Sequence, residues 1–305
     1  MGNSDNKSLE RVNAMRKAWA QSDAKRDAGL KEPESLDKFR DISYGPYGKQ
    51  NLLDIYVPKD KGSTATEKGF PIIVNIHGGG YFYGDKELYR FYCMNLAERG
   101  FAVVNFNYRL APENHFPAPI EDAMAVMNWI DENSDKYGLD KTNLFIVGDS
   151  AGAQITSQFA CVFTNPGYAK LFGLKAPDGV KLRAIGLACG MYKMPERAHS
   201  EKDNELMMDY LGDEKLISDP RVELHSNIDK NYPPTYIFSS YNDFLVSECM
   251  PMADFLKGKG IEVECKIYGS KEAKEIAHVF HCNMRLEEGK KANDAQTEFF
   301  RKHVN

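Results

Sequence analysis

The chain has no apolar run approaching the roughly 18 residues that a spanning helix needs, which excludes the bilayer as its solvent. Its first residues, Met1-Gly2-Asn3-Ser4-Asp5-Asn6-Lys7, lack an apolar stretch that a secretion machinery could read, so a cytoplasmic location is expected. No C-x-x-C pair occurs among the six cysteines (Cys93, Cys161, Cys189, Cys249, Cys265 and Cys282). Scattered thiols of this kind read as small buried hydrophobes in a reducing compartment, not as a zinc site or a disulfide framework. There is also no basic stripe: 39 Lys and Arg face 44 Asp and Glu, a net charge of -5 spread along the chain. That balance argues against nucleic acid as a partner. Internal repeats and low-complexity tracts are absent as well.

What is present is enough apolar material for a sizeable core. With 305 residues, 42% of them hydrophobic, one large α/β domain with a modest addition is expected. Residues 8 to 30 carry Leu9, Val12, Met15, Ala18 and Trp19 at helical spacing, and Gly29 and Pro33 follow. Short β-rich runs come next: residues 52–57, 71–76, 102–106, 144–148, 183–188, 235–240 and 262–267. The middle runs are apolar at both alternating positions, as strands covered on both faces must be. Helical patterns separate them at 119–131, 151–163, 249–257 and 290–303. The alternation predicts a mostly parallel sheet with helices on both sides.

Two stretches break the rhythm. Residues 1–45 precede the expected sheet, and residues 190–232 separate two strands by more than a crossover needs. Both are assigned to a cap over the site, leaving 46–189 and 233–305 as the catalytic domain. The second stretch carries Lys193, Glu196, Arg197, Glu201, Lys202 and Asp203, a cover suited to soluble substrates more than to a lipid surface.

The chemistry-bearing residues cluster at strand ends. The run 144–148 leads directly into Gly148-Asp149-Ser150-Ala151-Gly152 and a helix, a G-x-S-x-G turn in strand-turn-helix context. A serine on so sharp a turn exposes its hydroxyl, and a Cβ at either flanking position would collide with neighbouring backbone. Upstream, the run 71–76 ends in His77-Gly78-Gly79-Gly80. Residues without side chains let N–H groups turn toward a ligand, and with the N–H of Ala151 they form a cradle for the oxyanion of a tetrahedral intermediate.

A serine needs a base, and the base an acid that fixes its tautomer. His278 and His281 follow the last strand run at the sheet's carboxyl edge; His199 and His225 fall in the cap stretch and His303 at the chain end. Asp243 follows the run 235–240 at the same edge and is the natural acid. Asp149 and Asp122 stand in the wrong order for that role and are expected to brace loops instead.

Together with Tyr108-Arg109-Leu110-Ala111-Pro112-Glu113, these motifs make the chain resemble the hormone-sensitive-lipase-like carboxylesterases of the α/β-hydrolase fold. The likeness also covers Phe116-Pro117-Ala118-Pro119, Asp122, Pro233-Pro234-Thr235 and His278-Val279-Phe280, and spans about residues 45 to 300. It implies Ser150 as nucleophile, Asp243 as acid and His278 as base, with His281 the runner-up, and Gly79, Gly80 and Ala151 as oxyanion donors. It also implies a mostly parallel central sheet flanked by helices, with a small helical cap. Three features depart from the family's pattern: Ala153 after the serine motif, a long link over 269–277, and the aromatic run Tyr81-Phe82-Tyr83, which would narrow an acyl pocket.

The expected activity is hydrolysis of short-chain, acetyl-like carboxylic esters through an acyl-enzyme, with no metal or organic cofactor and a small-molecule ester as partner. Because an imidazole acts as a base only when neutral, activity is expected to decline toward acid pH. An amidase or peptidase with the same residues and a silent ligand-binding protein on the same fold are the alternatives. Homodimer formation is left open.

Overall fold

The computed structural model describes residues 3–62, 64–194 and 204–305, with the side chains of 3–7 and 204 outside the description. Glu196, Arg197, His199, Glu201, Lys202 and Asp203, assigned above to the cap, lie outside the described residues.

Eight strands form one sheet: β1 Leu36–Ser43, β2 Leu52–Pro58, β3 Phe70–Ile76, β4 Ala102–Phe106, β5 Leu139–Asp149, β6 Leu182–Ala188, β7 Thr235–Ser240 and β8 Val263–Tyr268. Their order is β1-β2-β4-β3-β5-β6-β7-β8. The pairs β1/β2 and β2/β4 are antiparallel and all the others parallel. The α-helices among the described residues are α1 Asn3–Asp27, α2 Arg90–Ala97, α3 Ala118–Asn133, α4 Ala151–Thr164, α5 Pro166–Leu171, α6 Asn204–Leu211, α7 Val246–Gly258 and α8 Glu287–Arg301.

Strand alternation divides the core in two. Ile72, Val74 and Ile76 of β3 and Leu144 and Ile146 of β5 face α3, α4 and α7, where Ile120, Met127, Ile155, Phe159 and Leu256 complete one apolar layer. Ile73, Phe145 and Val147 face the other way, onto Tyr92 and Leu96 of α2 and Phe299 and Phe300 of α8. Each such side chain, buried completely, stabilises the fold by about 1.5–3 kcal/mol. This two-sided demand is why β3, β4 and β5 read as continuous apolar runs.

One expectation is corrected. Residues 36–43 do not precede the sheet: they are its antiparallel edge strand, paired from Leu36 with Pro58 to Ser43 with Leu52. Of that strand only Leu36 is buried, so its sequence LDKFRDIS shows no apolar alternation to read. No helix among the described residues is long and apolar enough to cross a membrane.

Candidate active site

The carboxyl ends of β3, β5 and β7 and the loop after β8 bring the chosen residues together. At the end of β5 the chain turns sharply into α4, and Ser150 takes φ 52° and ψ -121°, a conformation that few L-residues adopt. The turn closes only because its flanks are bare. A Cβ on Gly152 would lie 2.1 Å from the Ile76 carbonyl, and one on Gly148 2.3 Å from the carbonyl of Gly152.

His278 reaches this turn from the loop after β8, with Nε2 3.0 Å from Ser150 Oγ. Its Nδ1 lies 2.7 Å from Asp243 Oδ1, on the loop after β7. Asp243 is buried and also accepts from the Ser239 hydroxyl and the Leu245 N–H. Burial pushes the Asp243 carboxyl up, but the hydrogen bond and charge of His278, with the Ser239 and Leu245 donors, outweigh it and hold the group below the ordinary carboxylate range. Asn242 ties the two loops, donating to the carbonyls of Ser270 and Ala273 at 2.8 Å each. The long link over 269–277 thus has an anchor, and its Ile276 is buried against Gly269.

Among the described residues, the other candidate histidines stand elsewhere. His281 is buried edge-on to Tyr92 and Phe238, with Nε2 3.5 Å from Cys282 Sγ, and burial pushes its imidazole down to about 3. His225 packs on Phe255, and His303 donates from Nδ1 to the Phe299 carbonyl. His77 is buried beneath Tyr108, and burial brings it down to about 4.

The glycine run after β3 curls back on itself. Gly79, at φ 117°, accepts at its carbonyl from the N–H groups of Phe82 and Tyr83. A Cβ there would lie 1.9 Å from the Tyr83 carbonyl. Gly79 and Gly80 line one cavity of about 580 Å³ together with Ser150, Ala151 and His278. No acceptor among the described residues takes the N–H of Gly79 or Gly80. Ser150, Tyr81, Cys189 and Val279 are four of the five positive-φ residues other than glycine among the described residues. All four adjoin this site, and each such conformation costs about 1–3 kcal/mol.

The two expected bracing carboxylates both hold loop backbone. Asp122 accepts from the Arg109 N–H and guanidinium, and Asp149 from the Gly78 N–H. Several lining residues were not singled out from the sequence. Trp19, Asp23 and Arg26 of α1, Leu206 and Met207 of α6, and Phe244 beside His278 all face the cavity. Of the aromatic run, Tyr81 and Tyr83 line it, while Phe82 is buried against Trp19.

A profile of the alpha/beta hydrolase fold matches residues 73–282. The chain belongs to the α/β-hydrolase family, in its hormone-sensitive-lipase-like group. Among curated relatives it is similar to esterase LipQ of Mycobacterium tuberculosis, 30% identical over 172 residues, which are 56% of this chain and 39% of the relative. It is also similar to the versiconal hemiacetal acetate esterase of Dothistroma septosporum, 29% identical over 215 residues, 64% of this chain and 63% of the relative. In both cases the match covers less than two thirds of the relative's own length. A solved structure of esterase B from Lactobacillus rhamnosis, inhibited by a C6-C4 SN3 compound, superposes with TM-score 0.86 at 25% identity, covering 97% of this chain and 96% of that one.

Proposed function

We propose that this α/β-hydrolase is a serine carboxylesterase acting on small carboxylic esters through an acyl-enzyme. One observation carries the reading: the unbroken line from Ser150 Oγ through both nitrogens of His278 to the buried Asp243, at 3.0 and 2.7 Å. Ser150 Oγ attacks the ester carbonyl as His278 Nε2 takes its proton, and the carbonyl oxygen becomes an oxyanion facing the N–H groups of Gly79, Gly80 and Ala151. Collapse breaks the bond to the alcohol, which leaves with the proton from His278. Water then enters, gives a proton to His278, and attacks the acyl-enzyme; Ser150 leaves reprotonated and the acid is released. Asp243 holds Nδ1–H throughout and stabilises the imidazolium.

The cavity supports a small-molecule ester, since about 580 Å³ falls within the range of small-ligand pockets. Its cover belongs to the proposal. Helix α1 and the segment holding α6 form the cap; the Arg11–Asp209 ion pair joins them, and a Tyr81–Tyr210 stack at 3.9 Å roots α6 in the glycine loop. Tyr81 and Tyr83 beside the glycines favour short acyl groups, a preference in keeping with the acetate named for one relative. Initial rates on p-nitrophenyl esters from acetate to laurate test it. A maximum at short chains is expected, and one at twelve carbons overturns that preference. A fluorophosphonate probe should label Ser150, and an unlabelled Ser150 in folded protein would sink the catalytic reading.

A further inference from the structure

Asp149 has no part in this proton path, yet it is buried immediately before the serine. Two donors converge on it. The Gly78 N–H lies 3.1 Å from Oδ1, and the Tyr89 hydroxyl donates to Oδ2 at 2.8 Å. The Tyr89 oxygen is itself 3.1 Å from the Gly78 nitrogen, so an N–H, a hydroxyl and a carboxylate close a triangle. Gly78 opens the glycine run whose next two residues face the cavity, and Asp149 is covalently joined to Ser150.

We infer that Asp149 is a positioning residue: through Tyr89 and the Gly78 N–H, its carboxylate fixes the oxyanion-donor loop relative to Ser150 Oγ. This rests on the serine-esterase reading. A carboxylate is acceptor-only and satisfies both donors, whereas a protonated carboxyl or an amide turns one donor against another. The buried loop then shifts to relieve the clash, and a displacement of about 1 Å in such a site costs on the order of 100-fold in rate.

The surroundings of Asp149 make this dependence visible in a pH profile. Burial pushes its carboxyl up to about 6, against the pull of the Tyr89 hydroxyl, the charge of His278, the Gly78 N–H and Arg26. Arg26 faces it from α1, Tyr89 from just before α2, Tyr92 and Cys93 from α2, and Tyr108 from the loop after β4. His278 and Cys282 face it from the segment after β8, where His281 also lies close. Burial raises the tyrosines and thiols and keeps them neutral, and His281 stays neutral down to about 3. Deprotonation of Asp149 therefore contributes to the acid limb of kcat/KM.

Initial rates with p-nitrophenyl acetate across acid to neutral pH, on the full chain, test this. Asp149→Asn should lower kcat about 10- to 100-fold with KM within about threefold, and the acid limb of log kcat/KM should become shallower than the parent's by one proton. Tyr89→Phe should lower kcat by a smaller factor and keep the parental acid-limb slope. An Asp149→Asn enzyme with kcat within twofold of the parent, or with the parental acid-limb slope, overturns the inference. Should that variant fail to fold by circular dichroism, Tyr89→Phe decides: unchanged kcat overturns the inference, reduced kcat at unchanged KM supports it. Ser150→Ala run in parallel separates the two readings, since parental turnover there would remove the esterase assignment itself.

Discussion

The Ser239 hydroxyl donates to one carboxylate oxygen of Asp243 and leaves the other, 2.7 Å away, for His278 Nδ1. The acid is thereby locked in rotation before the base engages it. Asp243→Asn should lose about 10⁴-fold in kcat, because an amide supports the wrong imidazole tautomer while the geometry survives. Steady-state kinetics check this, and near-normal turnover would assign the orienting role to another group. Ser239→Ala should produce a smaller fall in the same direction.

Ser150→Ala should reduce kcat by about 10⁶-fold, as removal of the nucleophile does in other serine hydrolases. The fold should persist, since the strained φ of 52° is imposed by Gly148 and Gly152 and is no worse for alanine than for serine. Circular dichroism with active-site labelling tests both halves. A variant that melts with the parent yet hydrolyses acetate esters at the parental rate would remove Ser150 from the mechanism.

Much of this was legible in the sequence, for identifiable reasons. Strands β3 to β6 are buried on both faces and must be apolar at successive positions, and the nucleophile turn excludes any Cβ at Gly148 and Gly152. Chain order and strand ends pointed to Asp243 and narrowed the candidate base to His278 or His281, between which the family resemblance favoured His278. The edge strand β1 was not legible, because its charged, mostly exposed residues carry no alternation. The choice between His278 and His281 lay beyond local pattern. Both sit in one short loop, and what separates them is the positive φ of Val279 and the burial of His281 between Tyr92 and Phe238. Ser239 and Asn242 left no signal either: in the run TYIFSS a serine looks like any strand residue, and its bond to Asp243 exists only once the loop folds back.

Helix α1 is polar along most of its length, and it is held by charge as much as by packing. Arg16 grips the carbonyls of Phe82 and Ala111 and pairs with both oxygens of Glu113. This clamp presents Trp19 to the cavity, its ring 5.0 Å from Phe82 and 5.6 Å from Tyr83. Trp19→Ala should shift the preferred p-nitrophenyl ester toward longer acyl chains, at a stability cost of about 1–2 kcal/mol for the half-buried indole. An unchanged chain-length profile would show that α1 does not bound the substrate.

The stability of the fold should fall between pH 7 and pH 5, and two buried histidines set the sign. Burial depresses His77 to about 4 and His281 to about 3, so each stays neutral in the fold while an unfolded imidazole takes up a proton near 6.5. Stability from a depressed group is fully present above the unfolded value and is lost as pH falls toward the folded one, which amounts to about 2 kcal/mol for each histidine by pH 5. Asp149 opposes them. Its folded value is raised to about 6, so it favours the fold more at low pH and returns about 1 kcal/mol over the same interval. Asp243 is depressed, but its contribution is lost only below the ordinary carboxylate range. The net expectation is a loss of about 3 kcal/mol between pH 7 and pH 5, read as a falling denaturation midpoint in urea. His281→Gln should flatten that dependence by about two thirds even if the variant is less stable throughout. A midpoint that rises on acidification would mean that both imidazoles are protonated in the folded chain.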